Sequence, residues 1–157
     1  LLSQTEWGEL DYLIVDTPPG TGDVQLTLLQ RIPLTSSIVV TTPQKVSISD
    51  CKKGIEMINK LEVPISGLIE NMSWFQPEKN SKKYYLFGKD GGKNLSKEYS
   101  LDLLAQIPLV EIEDSSEMLN NELLKSVFVT IAEKLIGSVK HLKEKRSKGI
   151  PQVNITK

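Results

Sequence analysis

The sequence predicts an α/β fold, a mostly parallel sheet flanked by helices, and three observations carry that expectation. Apolar runs of strand length alternate with stretches whose apolar residues recur at helical spacing. The runs are continuous rather than alternating, which suits strands covered on both faces. Polar and turn-forming residues gather at their C-terminal ends, where open α/β sheets collect ligands.

The first candidate strand is Tyr12–Val15, inside "LDYLIVDTPPGTGD", and it ends in Asp16. Pro18 and Pro19 lack backbone donors and fix φ, so the turn cannot continue the strand. Gly20 and Gly22 admit conformations or close approaches that a side chain would block. The plain reading is a tight connection capped by an acidic residue. The sharper one is a phosphate-sensing loop: the Asp16 carboxylate holds Mg²⁺ through water, and a glycine N–H faces the terminal phosphate.

Next, "DVQLTLLQR" reads as a short helix from Asp23 to Arg31, with Asp23 as its N-cap. "SSIVVTTP", Ser36 to Pro43, is a second strand ended by proline. "VSISDCKKGIEMINKL", Val46 to Leu61, is helical and sets Cys51, Ile55 and Ile58 on one face. "VPISGLIENM", Val63 to Met72, gives a third strand, and Ser73 to Gly92 is the least regular section. A helix starts in "GKNLSKEYS", and "LDLLAQIPL", Leu101 to Leu109, carries a fourth short strand. From Leu119 to Leu142, Leu123, Val127, Ile131, Leu135 and Val139 repeat at helical spacing. This makes one domain over residues 1–142, followed by a basic, frayed tail over 143–157.

A chain of 157 residues can bury a real core. Its 39% hydrophobic and 25% charged residues are an ordinary soluble balance. With 19 Lys+Arg against 20 Asp+Glu, the net charge of -1 makes no electrostatic case for nucleic acid. Cys51 stands alone, which rules out an intramolecular disulfide framework and favours a cytoplasmic setting. No apolar stretch is long enough to span a bilayer and no signal peptide is visible, so no membrane role is expected. The opening "LLSQTEWGELDY" has no Met and no upstream strand, and reads as the later part of something longer.

Some motifs fail on inspection. "GKDGGKN" resembles a Walker A loop, but its glycine spacing is one short and Asn94 replaces the Mg²⁺-binding hydroxyl. "GTGDVQ" puts Gln25 at the third-glycine position of a dinucleotide fingerprint. His141 sits between lysines on the last helix and reads as solvated. One His and one Cys make no self-contained zinc site, and no nucleophilic triad has support.

"DYLIVDTPPGTGDVQLTLLQ", "VVTTPQKVSISDCKKGIEM", "GLIENMSWF" and "FGKDGGKNLS…LLAQIPL" resemble, in that order, the Mrp/ApbC-like P-loop ATPases. These are iron–sulfur cluster carriers of the deviant Walker A class, which includes MinD and the nitrogenase iron protein. The resemblance covers roughly Trp7 to Leu109, and "DTPPGTGD" and "ENMS" are its most specific segments. It implies that Asp16 is the Walker B/switch II aspartate and that Thr17, Pro18, Pro19 and Gly20 form the switch sensing the γ-phosphate. Asn71 would hydrogen-bond the adenine, and Pro108, within Ile107 to Leu109, would line the base pocket. A turn residue ending a strand is the plainer reading of Asn71.

The resemblance departs in two places. The family's lysine-bearing glycine-rich loop is not in the chain, so the P-loop fold is expected to be incomplete here. This chain alone is accordingly expected to be inactive. The usual Cys-x-x-Cys after the "ENMSxF" segment is also missing, so no iron–sulfur ligand is assigned. The resemblance implies a homodimeric ATPase that uses ATP and Mg²⁺ and serves iron–sulfur client or scaffold proteins. The alternatives are a MinD-like positioning ATPase, favoured by an amphipathic last helix running into "KHLKEKRSK", and a non-catalytic scaffold of the same fold.

Overall fold

The computed structural model describes residues 5–18, 20, 22–77, 81–111 and 120–149. Helix α1 (Asp23–Arg31) precedes strand β1 (Ser37–Thr41), helix α2 (Lys45–Lys60) and strand β2 (Ile65–Glu70). Helix α3 (Gly91–Glu98), strand β3 (Leu103–Gln106) and helix α4 (Glu122–Gly149) follow. The strands form a parallel sheet in the order β1-β2-β3.

Strand β2 explains why its sequence is apolar without alternation. Leu68 packs with Val39, Ile55 and Leu95 under α2 and α3. Its neighbour Ile69 points the other way and packs with Leu104, Leu124 and Ile131 under α4. Both faces of the central strand are covered, so both parities must be apolar. Cys51 and Ile58 pack against the first cluster around the fully buried Ile55, as their spacing predicts. The edge strand β1 is covered on one face only: Val39 and Thr41 are buried, whereas Ile38 and Val40 are exposed.

Helix α4 starts where Asn121 Oδ1 accepts the N–H groups of Leu123 and Leu124, both at 3.1 Å. Lys134 Nζ donates to the Leu104 carbonyl at 2.7 Å, and Ser138 bonds Ser66 at 3.1 Å, fixing the helix across β3 and β2. The buried stripe is Leu124, Val127, Ile131 and Leu135; Leu123 is exposed, one position off the predicted face. A second stripe of Phe128, Val129 and Ile136 is also exposed.

Three expectations are corrected. Tyr12–Val15 forms no strand: Leu13 and Ile14 are exposed, and no described segment offers that run a ladder. A strand needs a neighbour for its backbone groups, and among the described residues β1 pairs with β2 alone. Asp23 is the first residue of α1, the N-cap being Gly22 with no side-chain cap bond. The last helix extends past the expected Leu142, since α4 runs to Gly149; residues 150–157 lie outside the described residues.

Candidate functional site

The carboxyl ends of the strands meet in register, with Thr41 beside Glu70 and Glu70 beside Gln106. The chain leaving each strand stays tied to its neighbours. The Asn71 N–H donates to the Thr41 carbonyl at 2.7 Å, and the Ile107 N–H donates to the Glu70 carbonyl at 2.8 Å. The Ser73 N–H reaches back to Ile107 O at 2.9 Å, and Leu109 N–H to Trp74 O at 2.7 Å. Phe75 exchanges two 2.8 Å bonds with Tyr84 in an isolated antiparallel bridge.

Two of the predicted site residues therefore share this edge. Asn71 is half-buried, and its Oδ1 accepts the N–H of Met72 at 2.9 Å. That bond orients the carboxamide and leaves its NH₂ group to be matched by something else. Pro108 is buried, one residue past the Ile107 N–H that anchors its strand end. Two buried polar atoms on the same edge, Thr42 Oγ1 and Trp74 Nε1, have no hydrogen-bond partner among the described residues. Buried polar atoms are rarely left so in a finished structure.

The loop residues are held differently. Asp16, Thr17 and Pro18 are exposed, and Thr17 and Pro18 are both approached by Gln25 of α1. Gln25 Nε2 donates to the Pro18 carbonyl at 2.5 Å and lies 3.4 Å from Thr17 Oγ1. Gly20 has a φ of +95°, a left-handed value that favours glycine. Pro19 lies outside the described residues. Asp16 does not follow a strand, contrary to the expectation that it ends one at Tyr12–Val15. Among the described residues no three His, Cys, Asp or Glu side chains come together as a metal site.

Sequence reasoning missed the centre of this edge. Glu70 is fully buried, yet its carboxylate is well bonded. Oε1 accepts from Ser73 Oγ at 2.8 Å and Gln106 Nε2 at 2.7 Å, and Oε2 accepts the N–H of Gly92. The doublet Gly91–Gly92 thus permits close approach, Gly91 to Pro43 and Gly92 to Glu70. A Cβ on Gly91 would lie 2.6 Å from the Pro43 carbonyl oxygen. The available signal was an acid closing the apolar run "GLIE", paired with a glycine doublet downstream. A groove of about 630 Å³ opens beside this contact, between Pro43, Lys45, Phe87 and Asn94. Asn71 and Pro108 do not line it.

A family model of the ParA group, described as the NUBPL iron-transfer P-loop NTPase, matches residues 1–140. The chain belongs to that family. The iron–sulfur cluster transfer protein NUBPL of Mus musculus is 48% identical over 119 residues, 75% of this chain and 37% of that protein. The iron–sulfur cluster carrier protein of Escherichia coli is 49% identical over 109 residues, 69% of this chain and 30% of that protein. This member of the NUBPL family spans about a third of the length of such relatives. A solved nucleotide-binding protein from Archaeoglobus fulgidus, in complex with ADP, superimposes with a TM-score of 0.58 at 34% identity. The match covers 81% of this chain and 48% of that one. The Mrp/ApbC-like resemblance and the α/β, P-loop NTPase-like fold class are both borne out.

Proposed function

We propose that the full-length protein is a homodimeric, cytoplasmic ATPase that carries iron–sulfur clusters to client proteins. The observation that supports this reading most is the Asn71 carboxamide, oriented by the Met72 N–H at the carboxyl edge of the sheet, the edge that also carries Pro108. An amide held at one oxygen lone pair keeps a donor and a second lone pair, the set that pairs with adenine N7 and N6. The names of the relatives supply the cargo, and the ADP complex of the A. fulgidus protein supplies the nucleotide class.

In this reading Asn71 orients the base, and Pro108 walls it with an apolar surface. Asp16, exposed and free of any described ion pair, would hold Mg²⁺ through water. That ion supplies charge neutralisation at the phosphates. Thr17 to Gly20 respond to the terminal phosphate and pass its loss to the dimer interface, by the order–disorder logic of nucleotide switches. The cluster is cargo, and Cys51 is not its ligand. The test is transfer of a [4Fe–4S] cluster from the reconstituted full-length protein to an apo-ferredoxin. ATP should accelerate transfer, and a rate indifferent to ATP contradicts the reading.

The MinD-like alternative keeps one feature, the exposed Phe128, Val129 and Ile136 on α4. Among the described residues no helix is long and apolar enough to cross a membrane. ATP-dependent sedimentation with anionic liposomes would favour that alternative.

A further inference from the structure

We propose that Glu70 is a positioning residue for base recognition: its buried carboxylate sets both the turn carrying Asn71 and the strand end carrying Pro108. The inference rests on the reading of Asn71 and Pro108 as base contacts.

A carboxylate with no exposed surface is costly unless its oxygens are bonded. Here the bonds run to three separate parts of the chain. Ser73 Oγ lies 2.8 Å from Oε1 and 2.9 Å from Glu70's own carbonyl oxygen, so one hydroxyl closes residues 70–73 into a turn. Asn71 and Met72 are suspended between those two anchored ends. Met72 has a φ of +54°, left-handed and unfavourable for a side chain, and the closed turn holds it there. On the other side, Gln106 Nε2 donates to Oε1 directly before Ile107 and Pro108. The third partner, the Gly92 N–H, ties the same carboxylate to the start of α3. The α3 N-cap, Asp90, makes no side-chain cap bond, so Glu70 does that work from the sheet. One side chain therefore fixes both groups that would face the base.

Every partner of Glu70 is a donor, and this makes the substitution to glutamine informative. Glu70→Gln keeps the volume but removes the charge that strengthens all three bonds, and leaves one acceptor oxygen where the carboxylate had two. The turn loosens without a cavity. In the full-length protein, with Mg²⁺ present, equilibrium titration with ATP and with GTP reads the effect. Glu70→Gln should reduce the preference for ATP roughly fivefold, and should reduce it no further in an Asn71→Ala background. A purely structural role would weaken both nucleotides alike and leave the ratio unchanged.

The controls separate the two layers. If Asn71→Ala alone leaves the ratio unchanged, the base-site reading falls and this inference falls with it. If Asn71→Ala lowers the ratio and a folded Glu70→Gln protein does not, the positioning role is overturned. Should Glu70→Gln fail to fold, Ser73→Ala, which opens the same turn, carries the same two outcomes.

Discussion

A Cβ placed on Gly92 would lie 2.8 Å from the Cβ of Glu70 and 3.0 Å from its Oε2. Helix α3 reaches the sheet only because residue 92 has no side chain. Gly92→Ala should therefore destabilise the fold by about 1–3 kcal/mol, the usual range for overpacking. At Gly137, within α4, an added Cβ meets nothing within 4 Å, so Gly137→Ala should stabilise by about 0.5–1 kcal/mol. Urea denaturation of the two variants separates them. Equal midpoints would contradict the close packing of α3.

Ile55 is fully buried between α2 and the sheet, and Val46 on the same helix is 74% exposed. Ile55→Ala should cost about 2–5 kcal/mol through lost burial and a residual cavity. Val46→Ala should stay within about 0.5 kcal/mol. Loss of stability in the Val46 variant comparable to the Ile55 variant would misplace the core.

These contrasts show which parts of the molecule could be read in the sequence. Ser36 to Pro43 and Val63 to Met72 enclose β1 and β2 because an apolar run bounded by proline or polar residues is a local signal. The face of Cys51, Ile55 and Ile58 was equally legible, since helical periodicity needs no partner to be seen. Tyr12–Val15 has the same apolar signal but no ladder, because strand formation depends on a neighbour. Asn71 and Pro108 could be placed from their strand ends. Glu70 could not: its side-chain partners lie 3, 22 and 36 positions away, and only the folded sheet brings them together.

Cys51 gives a pH-dependent test. Burial pushes its thiol above the ordinary value of 9.0, outweighing the Thr41 hydroxyl, which favours the thiolate; the charge of Asp50 adds to the rise. The folded state thus prefers the neutral thiol. Its contribution to stability is complete below pH 9.0 and is lost as pH climbs through the higher folded value. Alkylation by iodoacetamide should be slower than for free cysteine at pH 8, and Cys51→Ala should flatten the alkaline loss of stability. The same variant of the full-length protein should reconstitute a cluster with undiminished absorbance. A cluster that disappears with Cys51 would make it a ligand after all.

Asn71→Ala removes the carboxamide that is oriented by Met72 at 2.9 Å. The full-length variant should lose about 1–3 kcal/mol of discrimination between ATP and GTP, the scale of a good base contact. Calorimetric titration with each nucleotide measures it. An unchanged preference would leave Asn71 as a turn residue only.

Asp16 is exposed at the start of the Thr17–Gly20 loop, and its proposed role in the full-length protein is to organise Mg²⁺ for ATP hydrolysis. An amide is a poorer partner than a carboxylate for a metal-bound water. Single-turnover hydrolysis of ATP by Asp16→Asn, with binding measured on the same sample, tests this most directly. Nucleotide affinity should stay close to the parent's and hydrolysis should slow by about a hundredfold or more, the scale of a lost electrostatic contact in a reaction centre. Hydrolysis at the parental rate would contradict it and leave Asp16 a capping residue.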